Sequence, residues 1–195
     1  MTDPTFPHFE EMSGSNVSAG LFKQYIQKAK KASPNGAAVD IHKVGDYKKM
    51  KLFATRDGLA GYAVNEQGEL NSVFKHPDAP YQEVARRAAE HGALLGGATH
   101  LSAFGNKLSD MYAKGGFRPL SYAQWNEQYK PSGWKPRTQG RPDVVFMAAD
   151  RNAPEMLRTG RLEKPQDMPR GNDYDAQMEI SKRFGESKAI KRKKQ

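Results

Sequence analysis

The stretch 98–119, ATHLSAFGNKLSDMYAKGGFRP, constrains the fold more than any other part of the chain. Residues 99–104 are mostly apolar or β-branched, which is typical of a short core strand, and a Gly-Asn pair ends this run. Leu108, Met111 and Tyr112 then fall on one face of a helix, and a Gly-Gly pair stops that helix before an apolar run resumes. The stretch therefore predicts a strand, a helix and a second strand in close succession.

The segment before this stretch predicts an antiparallel meander. Apolar runs separated by Asp, Asn and Gly turns, which are typical of hairpins, lie at 51–55, 59–64 and 70–74. A helix is predicted over 81–91, with Asp78 as its cap. Because this helix connects 70–74 to 99–104, the two strands are expected to be parallel neighbours in an otherwise antiparallel sheet.

The sequence divides the chain into three parts. Residues 1–14 predict an extended arm, residues 15–150 a single mixed α/β domain, and residues 151–195 a basic extension that is at most partly ordered. The domain is expected to begin with an amphipathic helix that starts at Asn16 or Ser18, since either side chain can cap it.

Three further segments carry weaker patterns. Residues 37–44 are β-prone without clear alternation, and in the C-terminal extension only residues 174–184 favour a helix. Two Trp and two Tyr side chains within 122–134 indicate either a packed lid or a platform for a ligand.

Composition excludes several classes of site. The chain has no cysteine, which removes disulfides, thiolate zinc sites and a cysteine nucleophile, and its five histidines show no metal-binding spacing. No apolar run is long enough to cross a membrane, and the N-terminus does not resemble a secretory signal. We therefore expect no metal, no membrane and a reducing location, the cytoplasm.

Positive charge is concentrated at the C-terminus. The chain has a formal net charge of +9, and residues 151–195 are its more basic part per residue. The segment Lys188–Lys194 is therefore a candidate contact for a nucleic acid or another polyanion. A solvated tail without a partner is the alternative.

One motif resembles a known family. The pattern Asn-x5-Tyr-x3-Gly-Phe, which begins at Asn106 and ends at Phe117, follows a strand and a turn and resembles the last core motif of the GNAT superfamily of acyl-CoA-dependent N-acyltransferases. The sequences at 122–134 and 140–147 resemble GNAT-like domains found in bacteriophage and mobile-element proteins. The resemblance covers about Leu52 to Asp150.

The resemblance implies a fold, a reaction and a location. The fold is an α+β arrangement, a mainly antiparallel sheet flanked by helices, in which one parallel strand pair splays apart. The pantetheine arm of acetyl-CoA would lie between those strands, and the acetyl group would pass to a primary amine. A phage-encoded protein of this kind would work in the host cytoplasm or the virion.

The resemblance also assigns roles to individual residues. Tyr112 would be the acid that protonates the departing thiolate, and Glu69 the base that accepts the amine proton, with Asp110 and His100 as second choices. The alternatives are a core aromatic for Tyr112 and surface or turn positions for the rest. The cofactor would contact Asn71, Val73, Phe74, Lys75, Gln82 and Asn106, of which Asn106 could instead be a plain helix cap.

The sequence departs from the family at the loop that holds the pyrophosphate of CoA. The family uses a glycine-rich loop whose backbone amides bind phosphate. Residues 76–82 here contain no glycine, two prolines and one aspartate. Nearby basic side chains could compensate in part: Lys75, His76, Arg86 and Arg87. The rival hypothesis is a GNAT-fold phage protein without catalysis, a virion component or inhibitor that binds protein or nucleic acid.

Overall fold

Two four-stranded sheets organise the chain in a computed structural model that describes residues 5–34, 36–164 and 167–193. The first sheet is antiparallel throughout, in the order β1-β2-β3-β4. Its strands are β1 (Glu10–Glu11), β2 (Lys51–Ala54), β3 (Ala60–Val64) and β4 (Leu70–Lys75). The predicted meander is confirmed, since its three strands pair in chain order.

The second sheet is mixed and follows the order β5-β7-β6-β8. Its strands are β5 (His100–Phe104), β6 (Phe117–Ala123), β7 (Val144–Ala149) and β8 (Arg170–Gly171). The β7 strand pairs antiparallel with both neighbours, whereas β8 runs parallel to β6. The predicted class, a mixed α/β fold with mainly antiparallel pairing, is confirmed.

Helices flank both sheets. They are α1 (Asn16–Ala32), α2 (Val44–Tyr47), α3 (Val84–His91), α4 (Gly105–Lys114), α5 (Pro136–Gln139), α6 (Ala153–Arg158) and α7 (Tyr174–Lys193). The α1 helix begins at Asn16, as expected, but its cap is Ser15 and neither Asn16 nor Ser18: the Ser15 hydroxyl accepts a hydrogen bond from the Ser18 amide at 2.9 Å. Its apolar face buries Phe22 and Ile26 against the first sheet, with Phe22 edge-on to Phe74.

The predicted parallel strand pair exists, but only at its start. A single parallel bridge joins Glu69 to His100, and the amides of Thr99 and His100 donate to the Gly68 carbonyl at 2.8 and 3.3 Å. Beyond the bridge β4 belongs to the first sheet and β5 to the second. The two strands therefore start side by side and then diverge.

Two local predictions were wrong. The helix predicted over 81–91 begins only at Val84, and its N-cap is Glu83 in the left-handed conformation (φ 50°) in place of Asp78. The preceding loop cannot join the helix because the left-handed backbone of Glu83 breaks the right-handed path, and the Gln82 amide instead donates to the Thr5 carbonyl. Residues 37–44 form no strand, and the Lys30 ammonium holds the Val39 carbonyl at 2.7 Å.

The C-terminal segment forms a longer helix than the sequence indicates, and this helix packs against the second sheet. Tyr174 lies edge-on to Phe146 with ring centroids 4.8 Å apart, and Ser181 is fully buried. Close contact continues at Gly185, where a Cβ atom would lie 2.0 Å from the Thr99 carbonyl oxygen. The α7 helix is therefore an integral layer of the fold.

The first residue of the predicted polyanion contact has an internal role. The Lys188 ammonium lies 3.6 Å from the Asp150 carboxylate, whose side chain is buried in the second sheet. Among the described residues, the Arg118 guanidinium is the other cation near this carboxylate, at 4.0 Å. The side chains of 189–193, and residue 194 altogether, lie outside the described residues, so the rest of that hypothesis stays a prediction.

Removing the Lys188 ammonium should destabilise the protein measurably. Lys188→Ala leaves the buried Asp150 carboxylate with the Arg118 guanidinium and the Asn152 amide, and we expect the free energy of unfolding to fall by about 1 kcal/mol, less than the loss for a fully unpaired buried charge. Urea denaturation of this variant and of Lys28→Ala, which alters an exposed lysine on α1, measures the difference. Equal stability of the two variants would contradict a structural role for Lys188.

Candidate active site between the diverging strands

A cavity of about 410 Å³ opens where β4 and β5 separate. The β4 strand forms one wall over its whole length, and residues 102–104 of β5 face it. Leu108, Met111 and Tyr112 of α4 lie on a further side, and Tyr174 of α7 contributes from the C-terminal helix. The start of α3 lines it as well, so the cavity is bounded by both sheets and by three helices.

The β4 strand presents an irregular edge to this cavity. It is the last strand of its sheet, and its pairing with β3 shifts register between Gly61 and Ala63. Opposite this shift Ser72 adopts a left-handed backbone (φ 51°), which is rare for a residue with a Cβ atom. Its side chain is held in place by the Tyr47 hydroxyl at 3.1 Å. Such a bulge turns backbone groups of the strand away from the ladder.

Tyr112 lies where the sequence predicts a functional tyrosine. Its side chain is buried on α4, and it lines the cavity. Burial raises its pKa, so the phenol keeps its proton at any physiological pH. Among the described residues no side chain or backbone group is hydrogen-bonded to the hydroxyl, which leaves its proton available to a ligand.

Glu69 lies at the narrow end of the cavity, next to the parallel bridge. Burial raises the pKa of its carboxyl, the Asn65 amide opposes this by donating to Oε2 at 2.9 Å, and the nearby Asp40 charge raises it further. The folded state therefore favours the protonated form more than water does. A carboxylate of this kind is a stronger base than an exposed one.

Among the cavity residues that the sequence analysis missed, two lie close to Glu69 in charge or contact. Asp40 lies in an irregular segment that gave no motif, and it lines the same end of the cavity as Glu69. Tyr174 comes from α7, and its hydroxyl lies 2.9 Å from the Ser102 hydroxyl. Burial is the main reason that the pKa of Tyr174 is raised, with smaller contributions from the charges of Glu69 and Asp40. No sequence signal connects these residues, because only the tertiary fold brings them together.

The residues expected to contact the cofactor separate into two groups. Asn71, Val73, Phe74 and Lys75 all line the cavity, as members of β4. Gln82 and Asn106 do not. Asn106 is exposed at the start of α4 and faces a separate depression near Pro142. At 3.6 residues per turn, six residues of helix place it about 120° around the axis from Tyr112.

The second-choice bases lie elsewhere. His100 is buried at the parallel bridge, its Nδ1 lies 3.0 Å from the Thr99 hydroxyl, and burial lowers its pKa to about 4. It is therefore neutral at physiological pH and does not line the cavity. Asp110 is exposed on α4 and faces a depression beside Leu157. Neither is positioned with Tyr112 and Glu69.

The aromatic loop packs as a lid over the end of β5 and does not line the cavity. Trp125 and Trp134 have ring centroids 5.4 Å apart, and the same distance separates Trp134 from Phe104. The Trp134 indole N–H donates to the Gly140 carbonyl at 2.9 Å. Of the two interpretations of this loop, the contacts support a packed lid.

Comparisons with known proteins add no relative. No family model, curated protein or solved structure matches this chain. Among the residues that the structure describes, no helix is long and apolar enough to cross a membrane. Within those same ranges, no three histidine or acidic side chains cluster in a way that could hold a metal ion.

The buried His100 should make stability depend on pH. Its pKa is about 4 in the folded state and near 6.5 unfolded, so the unfolded chain binds more protons between these values. Stability should therefore fall as the pH drops from about 6.5 to 4, by at most about 1.4 kcal/mol per pH unit from this group.

Urea midpoints of the native protein, His100→Asn and His8→Asn, measured across that pH window, test this assignment. The His100 variant should lose part of the pH dependence. The exposed His8 serves as the control, and its variant should keep the whole dependence. Parallel curves for all three proteins would contradict the assignment.

Proposed function

We propose that this protein is a GNAT-like N-acyltransferase that moves an acyl group, in the simplest case acetyl, from a pantetheine thioester such as acetyl-CoA to a primary amine. The observation that carries the proposal is the cavity between two parallel strands that diverge after a single bridge, with Tyr112 and Glu69 on its walls. The motif at 106–117 and this geometry support the same function from independent directions.

Each chemical requirement of the reaction has a candidate group. The amine must lose a proton as its nitrogen bonds to the thioester carbon, and the Glu69 carboxylate, whose pKa is raised, is suited to accept that proton. The bond from carbon to sulfur then breaks, and the phenol of Tyr112 can protonate the departing thiolate. One proton has then passed from the amine to Glu69 and one from Tyr112 to the thiolate, which leaves the amide and the free thiol. Transfer of a proton from Glu69 to Tyr112 through solvent restores both side chains.

The irregular edge of β4 is suited to the remaining requirement, which is to align the thioester and to stabilise the charge on its carbonyl oxygen. An extended pantetheine arm can pair with a free strand edge as an additional strand would, which aligns the thioester with backbone N–H groups around Ser72. Donors already fixed in this way would stabilise the negative charge that develops on the carbonyl oxygen. The bulge provides such a fixed edge, because the Ser72 hydroxyl is held by the Tyr47 hydroxyl and by the Asp40 carbonyl.

A second candidate is a GNAT-fold protein without catalysis, which binds protein or nucleic acid. One observation favours it, namely the loop 76–82, which lacks the glycines that hold CoA phosphates in the family. The residues expected to perform the chemistry are nevertheless retained and face one cavity. We therefore propose the enzyme, and the alternative predicts no thiol release under any condition tested below.

Replacing Glu69 should abolish most of the activity. Thiol release from acetyl-CoA with a panel of primary amines measures turnover, and Glu69→Gln should lower kcat/KM by about 10²-fold to 10⁴-fold. Native kcat/KM should rise with pH through the Glu69 pKa, which lies above the usual glutamate value, and the variant should lack that limb. Glu66→Gln, at the adjacent exposed turn, is the matched control and should behave as native.

Removing the Tyr112 hydroxyl should slow turnover without harming the fold. Tyr112→Phe should lower kcat by about 10²-fold, since a positioned acid contributes roughly that factor. Affinity for CoA, measured by calorimetry, and the thermal midpoint should stay near native, because no described group is hydrogen-bonded to this hydroxyl. Tyr25→Phe on α1 is the control. Full activity of Tyr112→Phe would remove the residue from the mechanism.

A further inference from the structure

We infer that the donor site recognises the acyl-pantetheine portion of the donor and gains little from a nucleotide diphosphate, an inference that rests on the proposed function. The cavity fits the arm of the donor, as described above. The loop where a CoA diphosphate would lie does not fit it. Three independent features of this loop and of the α3 helix carry the inference.

The first feature is the lack of free amides in the loop. Pro77 and Pro80 have no N–H group. The Asp78 amide donates to the His76 ring at 3.2 Å, and the Ala79 amide donates to the His76 carbonyl at 3.0 Å. The Gln82 amide donates to the Thr5 carbonyl of the N-terminal arm at 2.9 Å. Most of the loop's donors are therefore absent or already satisfied within the chain.

The second feature is the pairing of the nearby cations. The Arg86 guanidinium contacts the Glu83 carboxylate at 2.9 Å, and Arg87 contacts Glu90 at the same distance. Arg87 is further engaged with the Phe6 ring, whose centroid lies 3.9 Å from its guanidinium carbon.

The Asp78 carboxylate also lies 3.6 Å from Nδ1 of His76, the ring nitrogen that accepts a hydrogen bond from the Asp78 amide. Of the four basic side chains named as compensating groups, Arg86 and Arg87 are therefore ion-paired with described carboxylates, and His76 has an aspartate beside it. A phosphate group would have to displace carboxylates to reach the two arginines.

The third feature is the charge at the start of α3. The N-terminus of a helix attracts anions through its free amides and its dipole. Here the N-cap position is occupied by Glu83, whose carboxylate stays near the helix through Arg86. The carboxylate forms no hydrogen bond to the first amides of α3, but its negative charge repels a second anion at this terminus. The family's diphosphate site is therefore occupied in charge by the chain itself.

These features predict the donor class. Any acyl thioester of pantetheine should be accepted, whether the pantetheine is free, part of CoA or attached to a carrier protein. The experiment compares S-acetyl-pantetheine, acetyl-CoA and an acetylated phosphopantetheinyl carrier protein in the thiol-release assay, together with calorimetry of pantetheine and CoA. The pantetheine and CoA forms should have values of kcat/KM and of Kd that agree within about threefold.

The outcomes separate the inference from the proposed function. A preference for acetyl-CoA of tenfold or more, with transfer observed, would overturn the inference and leave the acyltransferase standing. Absence of transfer and of binding with all donors would overturn both. Comparable rates for the three donors, or a higher rate with the carrier protein, support the inference. The ratio of the rates with S-acetyl-pantetheine and with the carrier protein then shows whether the site prefers free or protein-bound pantetheine.

A charge variant tests whether the carboxylate at the start of α3 weakens the binding of a diphosphate. Glu83→Gln removes the carboxylate from the start of α3 and frees Arg86, so it should raise the affinity for CoA relative to pantetheine by about threefold to tenfold. Glu66→Gln removes the same charge at the opposite end of β4 and should leave the ratio unchanged. An unchanged ratio in Glu83→Gln would overturn this account of the loop.

Discussion

The backbone bridge between Glu69 and His100 determines where the candidate active site can be. The Gly68 carbonyl accepts from both Thr99 and His100, so the ends of two strands are fixed together at one point. A glycine is required here because its φ is 82° and a Cβ atom would lie 2.7 Å from the Thr99 hydroxyl. Because the strands then enter different sheets, the space between them widens away from the bridge. Glu69 is held at the closed end of that space by the same contacts that create it.

The walls of the cavity depend on a part of the chain that the family resemblance does not cover. The α7 helix reaches the cavity through Tyr174, and its far end is held by Lys188 against the buried Asp150. Close backbone approach at Gly185 prevents the helix from moving away from β5 without loss of packing. A segment that composition describes as a basic tail therefore shapes the site.

Sequence reasoning predicted the elements that repeat a pattern and missed those that break one. Strand alternation and turn residues located β2, β3 and β4, and helical spacing located the α4 face that carries Tyr112. The left-handed Ser72, the cavity position of Asp40 and the packing of α7 depend on contacts between distant segments, which leave no local signal. Asn106 is a different case, since its spacing from Tyr112 already implies another helix face. The family resemblance assigns Asn106 and Tyr112 to one site, although the two side chains point in different directions.

On the proposed function, the charges along the cavity assign one end to the acceptor amine and the other to the acyl donor. Asp40 and Glu69 lie at one end, and no described residue forms an ion pair with either, whereas Lys75 lies at the other end of β4. The carboxylates attract a substrate ammonium, and the Asp40 charge also makes Glu69 a stronger base. An ammonium close to both carboxylates would in turn lower the pKa of Glu69, which opposes proton transfer. Burial resolves this conflict, because it raises the pKa of Glu69 whether or not a cation is present, so that part of its basicity survives substrate binding.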